Sequence, residues 1–222
     1  MKILLIEDNK DRFEEFKDNY KIDFLSPKYN NIIDVAINER YFEVYEELET
    51  NTFDFDDYSI IIAHKSAFRK NNNNQEIIKK LEKESKNLVL FSGGIDVNYY
   101  SKDENKEKLE LNSKTFYSNH LIQFLDSCNN GEKNNILLLC YGNKWKLNIA
   151  LNIVEEVNRI INETDDKEVD CEDIVNDESK EILDEIDNDL YDKINTSTAK
   201  KGELTDAIDQ ILSYVDERLL YE

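Results

Sequence analysis

The chain has little of what breaks, bridges or coordinates. Its 222 residues include one proline, five glycines, three cysteines, two histidines, one methionine and one tryptophan. Cys128, Cys140 and Cys171 are far apart and form no C-x-x-C pair. They read as reduced, packed thiols, which sets aside a disulfide framework or thiolate zinc site. His64 and His120 alone give a Cys/His metal centre little to draw on. The few glycines make no phosphate-binding loop, dinucleotide fingerprint or nucleophile elbow, and "FSGG" at Phe91–Gly94 is too short to be one. Calcium loops of EF-hand spacing are absent. No apolar run is long enough to cross a bilayer and no basic-then-apolar leader opens the chain, so a soluble, cytoplasmic protein is expected.

Acids are plentiful. The formal net charge is −21. Residues 163–222 hold 21 acids and 6 bases, against 28 acids and 22 bases in the rest of the chain. The asymmetry therefore belongs to the C-terminal part. Such a surface repels nucleic-acid phosphates and anionic membranes, so neither is an expected partner, while a basic protein is attracted.

Hydrophobic patterning gives the organisation. Lys2–Ile6, Ile32–Ile37, Tyr58–Ala63 and Asn87–Phe91 read as strands, with Lys108–Lys114 a weaker fifth. Between the first four, apolar residues recur at helical spacing: Phe13 with Phe16, Tyr41 with Val44 and Leu48, Ile77 with Leu81. Asn9 and Asn119 are expected helix caps. The asparagine run 71–74 reads as a loop, and Ile95–Lys108 as polar chain without a helical period. Strands alternating with single helices imply parallel pairing through right-handed crossovers. The expected fold is an α/β, flavodoxin-type, five-stranded parallel doubly wound sheet with a short or missing fourth helix, spanning residues 1–130. Residues 131–222 are expected to form an acidic all-α region, with apolar stripes along 147–161, 182–194 and 204–219 and a weakly patterned loop at 163–176.

In such a sheet the functional edge lies at the carboxyl ends of the strands. Glu7 and Asp8 follow the first strand in "ILLIEDN", His64 follows the third in "YSIIIAHKS", Ser92 ends the fourth, and Lys114 ends the fifth in "KTFYSNHL". In these residues and their order the N-terminal region resembles the receiver domain of bacterial response regulators. The resemblance implies that Glu7 and Asp8 stand where the family's acid pair helps hold Mg²⁺. It also implies that Ser92 and Lys114 stand where a hydroxyl and an ammonium contact phosphoryl oxygens. Thr115 replaces the proline usual after that lysine. The family's acceptor aspartate aligns with His64, and a shift by one residue aligns it with Ala63 or Lys65; none is a carboxylate. Without that oxygen both the nucleophile and a metal ligand are lost, leaving weak Mg²⁺ binding at Glu7 and Asp8 at most. Asp56 and Asp57 precede the third strand, at the wrong edge of the sheet to replace it.

The resemblance therefore implies a degenerate receiver without enzyme activity or cofactor. It is expected to act as a signalling or regulatory adaptor through protein–protein binding, with a homodimer as one alternative. Tyr99, Tyr100 and Trp145 are the candidate partner-binding residues, Trp145 also reading as an anchor between domains. A second reading takes the acidic region as a decoy that occupies the basic groove of a nucleic-acid-binding protein.

Overall fold

The computed structural model describes residues 2–68, 74–103, 106–131, 135–163, 168–169, 175, 177–196 and 198–219. Of the expected loop at Asn71–Asn74, residues 71–73 lie outside the described residues, as do Cys171 and most of 164–176, while Asn74 begins a helix and not a loop.

β1 (Ile3–Ile6) is apolar at every position and every residue is buried, as a strand covered on both faces requires. It pairs in parallel with β2 (Ile33–Ala36) on one side and β3 (Ile60–His64) on the other. β3 pairs with β4 (Asn87–Ser92), and β4 with β6 (Lys106–Asn112), all in parallel. The helices α1 (Lys10–Tyr20), α2 (Glu39–Thr50) and α3 (Asn74–Glu84) form the connections between the first four strands. Leu4, Ile6, Ile61, Ala63, Leu88 and Leu90 meet Val44 and Leu48 of α2 and Ile77 and Leu81 of α3 in one core cluster. The alternate strand residues point to the other face, as the two-residue period demands. There Phe91 stacks on Phe116 at 4.0 Å between ring centroids, and Tyr117 bridges Phe91 and Phe16 of α1.

The sheet has six strands in the order β2-β1-β3-β4-β6-β5, not five. The polar stretch read as loop contains β5 (Tyr99–Asp103), which runs antiparallel to β6 along the sheet edge. The fourth helix is thus absent and a hairpin stands in its place. Tyr100, opposite Leu109, is the one buried residue of β5. An ion pair crosses the hairpin, Lys102 to Glu107 at 3.3 Å, while on β6 Lys108 lies 2.9 Å from Glu110 and 2.8 Å from Glu82 of α3. An edge strand needs no more apolar residues than this, which is why its pattern reads as loop.

β6 ends at Asn112, earlier than expected, so Lys114 lies in the short helix α4 (Ser113–Phe116). α5 (Asn119–Asn129) is capped by Ser118, whose Oγ accepts the His120 N–H, not by Asn119. α1 and α2 end without glycine: Lys21 and Asn51 take the left-handed conformation at φ 51° and 59°.

The chain divides into two compact units, Met1–Gly142 and Asn143–Glu222. The division falls later than residue 130. Ile136–Tyr141, assigned from sequence to the second domain, belongs to the first unit, where its α6 (Leu138–Tyr141) packs on α4 and α5. Gly142 ends that helix at φ 64°, pressed against Gln123 and His120.

The second unit contains α7 (Trp145–Glu163), α8 (Asp177–Ile186), α9 (Leu190–Ile194) and α10 (Lys201–Tyr214), the last continuing as a π-helical turn, Val215–Leu219. The stripe 182–194 is not one helix but two, broken at Asp187–Asp189. The unit is mainly rather than wholly helical: β7 (Glu168–Val169) and β8 (Ala199–Lys200) form an antiparallel pair. Among the described residues no helix is long and apolar enough to cross a membrane.

Candidate functional site

The parallel register brings the ends of β1, β3 and β4 to one edge. Ile6 is level with Ala63, and His64 with Phe91, one residue before Ser92. Glu7 extends β1 by one rung, its N–H donating to the Ala36 carbonyl at 3.1 Å, and this fixes its carboxylate beneath the edge.

Glu7 is fully buried. Its Oε1 accepts the Asn9 N–H at 2.9 Å, and its Oε2 accepts the Tyr117 hydroxyl at 2.6 Å and an Arg12 N–H at 3.4 Å. Burial dominates and pushes its pKa up to about 7, against the opposing pull of Tyr117, Asn9 and Arg12. Tyr117 is held well above its ordinary value, first by its own burial and then by the charge on Glu7, so it remains a hydroxyl donor.

Asp8 is partly exposed and faces the 3₁₀ turn Lys65–Phe68. Its Oδ1 accepts from Ser66 Oγ at 3.3 Å and lies 3.7 Å from His64 Nδ1. His64 is buried, its ring edge-on to Phe91 at 5.0 Å. Nδ1 accepts the Ser66 N–H at 3.2 Å and touches Ser66 Oγ. The neutral ring then carries its proton on Nε2, which faces Ser113 Oγ at 3.4 Å. In that tautomer the imidazole donates to Ser113 and has no lone pair there to take a proton from it. A Ser–His–Asp relay needs the opposite arrangement, so these three residues are not poised as one.

Ser92 lies at the buried end of β4, its Oγ accepting the Gly94 N–H at 3.4 Å. Lys114 is exposed and lines the same cleft; its backbone N–H donates to Asn112 Oδ1 at 2.8 Å, and among the described residues its ammonium makes no ion pair. Lys65, one possible occupant of the acceptor position, turns aside to pair with Glu110. Asp56 and Asp57 sit in the 3₁₀ turn before β3, where Asp56 pairs with Lys86 at 3.0 Å. Of the three residues expected to meet a partner, Tyr99 is exposed, whereas Tyr100 and Trp145 are buried and present little surface.

Glu7, Asp8 and His64 each offer a ligand atom, and these atoms lie within 4.8 Å of one another. The set does not fit Mg²⁺. That ion takes oxygen ligands in near-octahedral geometry, whereas the third position here is an imidazole. Glu7 already accepts three donors, one of them the Arg12 cation.

Sequence reading missed Arg12, Ser66, Ser113 and Tyr117, which complete the site. Ser66 stands two residues past a strand-end histidine and Ser113 directly after β6, so adjacency to strand ends is the signal that finds them. With Phe16 and Tyr20 of α1 and Gly93 and Gly94 after β4, they line a cleft of about 840 Å³.

No protein-family model matches the chain, and no curated protein or solved structure matches it either.

Proposed function

We propose that the protein is a non-catalytic regulatory adaptor: a receiver-like α/β unit that has lost phosphoryl chemistry and acts by binding another protein. The observation that carries this reading is His64. At the strand end where a phosphoacceptor carboxylate is required stands a buried imidazole, held by Ser66 and Ser113 and packed on Phe91. It supplies neither an attacking oxygen nor a metal-bridging one. Arg12 supports the same reading, since its guanidinium beside Glu7 lies where added positive charge is least welcome.

The decoy reading draws on the net charge alone. Described acids of the second unit are spread over α7, α8, α9 and α10, and several are already paired: Arg159 with Glu156 and Glu163, Lys146 with Glu185, Lys193 with Asp187, Lys200 with Glu203. This favours acids that solvate helices over acids arrayed for a basic groove.

Two measurements test the adaptor reading together. Intact mass after exposure to a small acyl phosphate with Mg²⁺ is expected to show no phosphoryl adduct. Affinity capture from the native host is expected to return a protein partner that survives a high-salt wash. An adduct lost in the Glu7→Ala variant overturns the non-catalytic part. A capture that returns only basic nucleic-acid-binding proteins, released by salt, overturns the adaptor in favour of the decoy.

A further inference from the structure

We propose that the cleft at the carboxyl edge of the sheet binds a small phosphate-bearing molecule with a planar ring, of mononucleotide size. The inference goes beyond the adaptor reading and does not depend on it.

The charge of the cleft runs against that of the protein. Acids outnumber bases 49 to 28 in the whole chain, yet the cleft lining carries Arg12 and Lys114 beside one acid, Glu15, with the Arg12 charge shared with the buried Glu7 carboxylate behind it. Lys114 is exposed, and its ammonium makes no ion pair among the described residues. Arg12 spends one N–H on Glu7 at 3.4 Å, leaving the rest of its donor fork for a ligand.

The uncharged groups also donate. Ser92 Oγ accepts the Gly94 N–H, and among the described residues its hydroxyl proton has no acceptor and can be donated to a ligand. Ser113 Oγ faces the Nε2 of His64, which carries a proton, so the Ser113 proton is turned away from the ring. The Lys114 ammonium, the remaining Arg12 donors and two hydroxyls able to donate are together suited to an oxyanion, with Glu15 the one acid of the lining.

An inorganic ion leaves most of the space unfilled. The cleft measures about 840 Å³, within the range of sites for whole small molecules. Part of its lining is aromatic: Phe16 lies 5.0 Å from Tyr20 and 5.3 Å from Tyr117 between ring centroids. Tyr20 is 39 % exposed, an uncovered ring beside a cationic site. Stacking on such a wall is open to any planar ring, and the anion fixes the ligand's other end.

The test is isothermal titration of the full chain with AMP, GMP, CMP and UMP, and with inorganic phosphate and adenosine as partial ligands. At least one mononucleotide is expected to bind saturably and more tightly than either partial ligand. Lys114→Ala, at an exposed position, is expected to weaken that binding about tenfold or more, as loss of a charge-assisted contact implies. Tyr20→Ala is expected to weaken the mononucleotide but not inorganic phosphate. Lys200→Ala in the second unit removes the same charge and is expected to change nothing. Failure of all four mononucleotides to saturate, equal affinity for mononucleotide and inorganic phosphate, or equal loss in the Lys114 and Lys200 variants overturns the proposal. Each of these results leaves the adaptor reading standing, because that reading rests on the missing acceptor carboxylate at His64 and not on what the cleft binds.

Discussion

Replacing Glu7 by glutamine is expected to flatten the pH dependence of stability in the first unit. In the unfolded chain the carboxyl ionises near 4.5, and in the folded protein burial raises this to about 7. Below 4.5 both states are protonated, and the full stabilisation relative to high pH is present. Between 4.5 and 7 the unfolded chain releases the proton while the fold retains it, so stability falls as pH rises. Above 7 both are ionised, and the cost of the buried charge is complete. A shift of this size corresponds to about 3 kcal/mol over the whole window, of which about 2.5 kcal/mol falls between pH 5 and pH 8. Glutamine has no proton to lose. It keeps one carbonyl oxygen, for either the Asn9 N–H or the Tyr117 hydroxyl and Arg12, and gives up the bond on the other side; that loss is a pH-independent offset and cancels in the slope. Wild type and Glu7→Gln are therefore expected to diverge with rising pH, the variant gaining about 2–3 kcal/mol relative to wild type from pH 5 to pH 8. Amide hydrogen exchange in β1 and β3 reads the unit that holds Glu7, and the titrations of the many other acids cancel in the difference. Parallel curves for the two proteins would refute the claim that burial governs this carboxylate.

Gly142→Ala is expected to cost at least about 2 kcal/mol, because an added Cβ lies 2.5 Å from Gln123 Oε1 and 2.7 Å from His120 Cδ2 at a backbone that favours glycine; urea unfolding of the first unit measures it, and an unchanged midpoint contradicts the packing described. Lys21→Gly is expected to stabilise by up to about 1 kcal/mol by relieving a left-handed helix cap, read as a higher melting temperature. Millimolar Mg²⁺ is expected to leave the melting temperature unchanged, since Glu7 is occupied by donors and His64 is not an oxygen ligand; a saturable rise would show that the acid pair still holds the ion.

The strands that the sequence discloses are those buried on both faces. Runs such as Ile3–Ile6 and Ile60–Ala63 have one reading, since an apolar segment that short between turns has nowhere to go but the middle of a sheet. β5 is illegible because an edge strand with one buried tyrosine among polar residues carries no periodic signal. The break between α8 and α9 was hidden for the opposite reason. The stripe from Ile182 to Ile194 keeps helical spacing straight across Asp187–Asp189, and only the backbone shows that the helix is interrupted there. The site divides in the same way. Glu7, Asp8, His64 and Ser92 are legible because each ends a strand whose register is fixed by its neighbours. Arg12 and Tyr117 are 5 and 110 residues from Glu7, and only the folded arrangement of α1 and α4 against the sheet brings both to one carboxylate.

The hairpin at the sheet edge also bears on the order of assembly. Each parallel pairing, β1 with β2, β1 with β3, β3 with β4 and β4 with β6, joins strands that are distant along the chain and requires closing a long loop first. Of the paired strands in this sheet, β5 and β6 alone are separated by as few as two residues, 104–105. Hairpins close in microseconds, whereas pairings between distant strands set the slow steps of α/β domains. A helix in this position would have left β6 to be recruited across the same kind of gap as the others. With a hairpin, β6 can pair with β5 locally before it meets β4, and β5 then becomes the edge strand of the sheet.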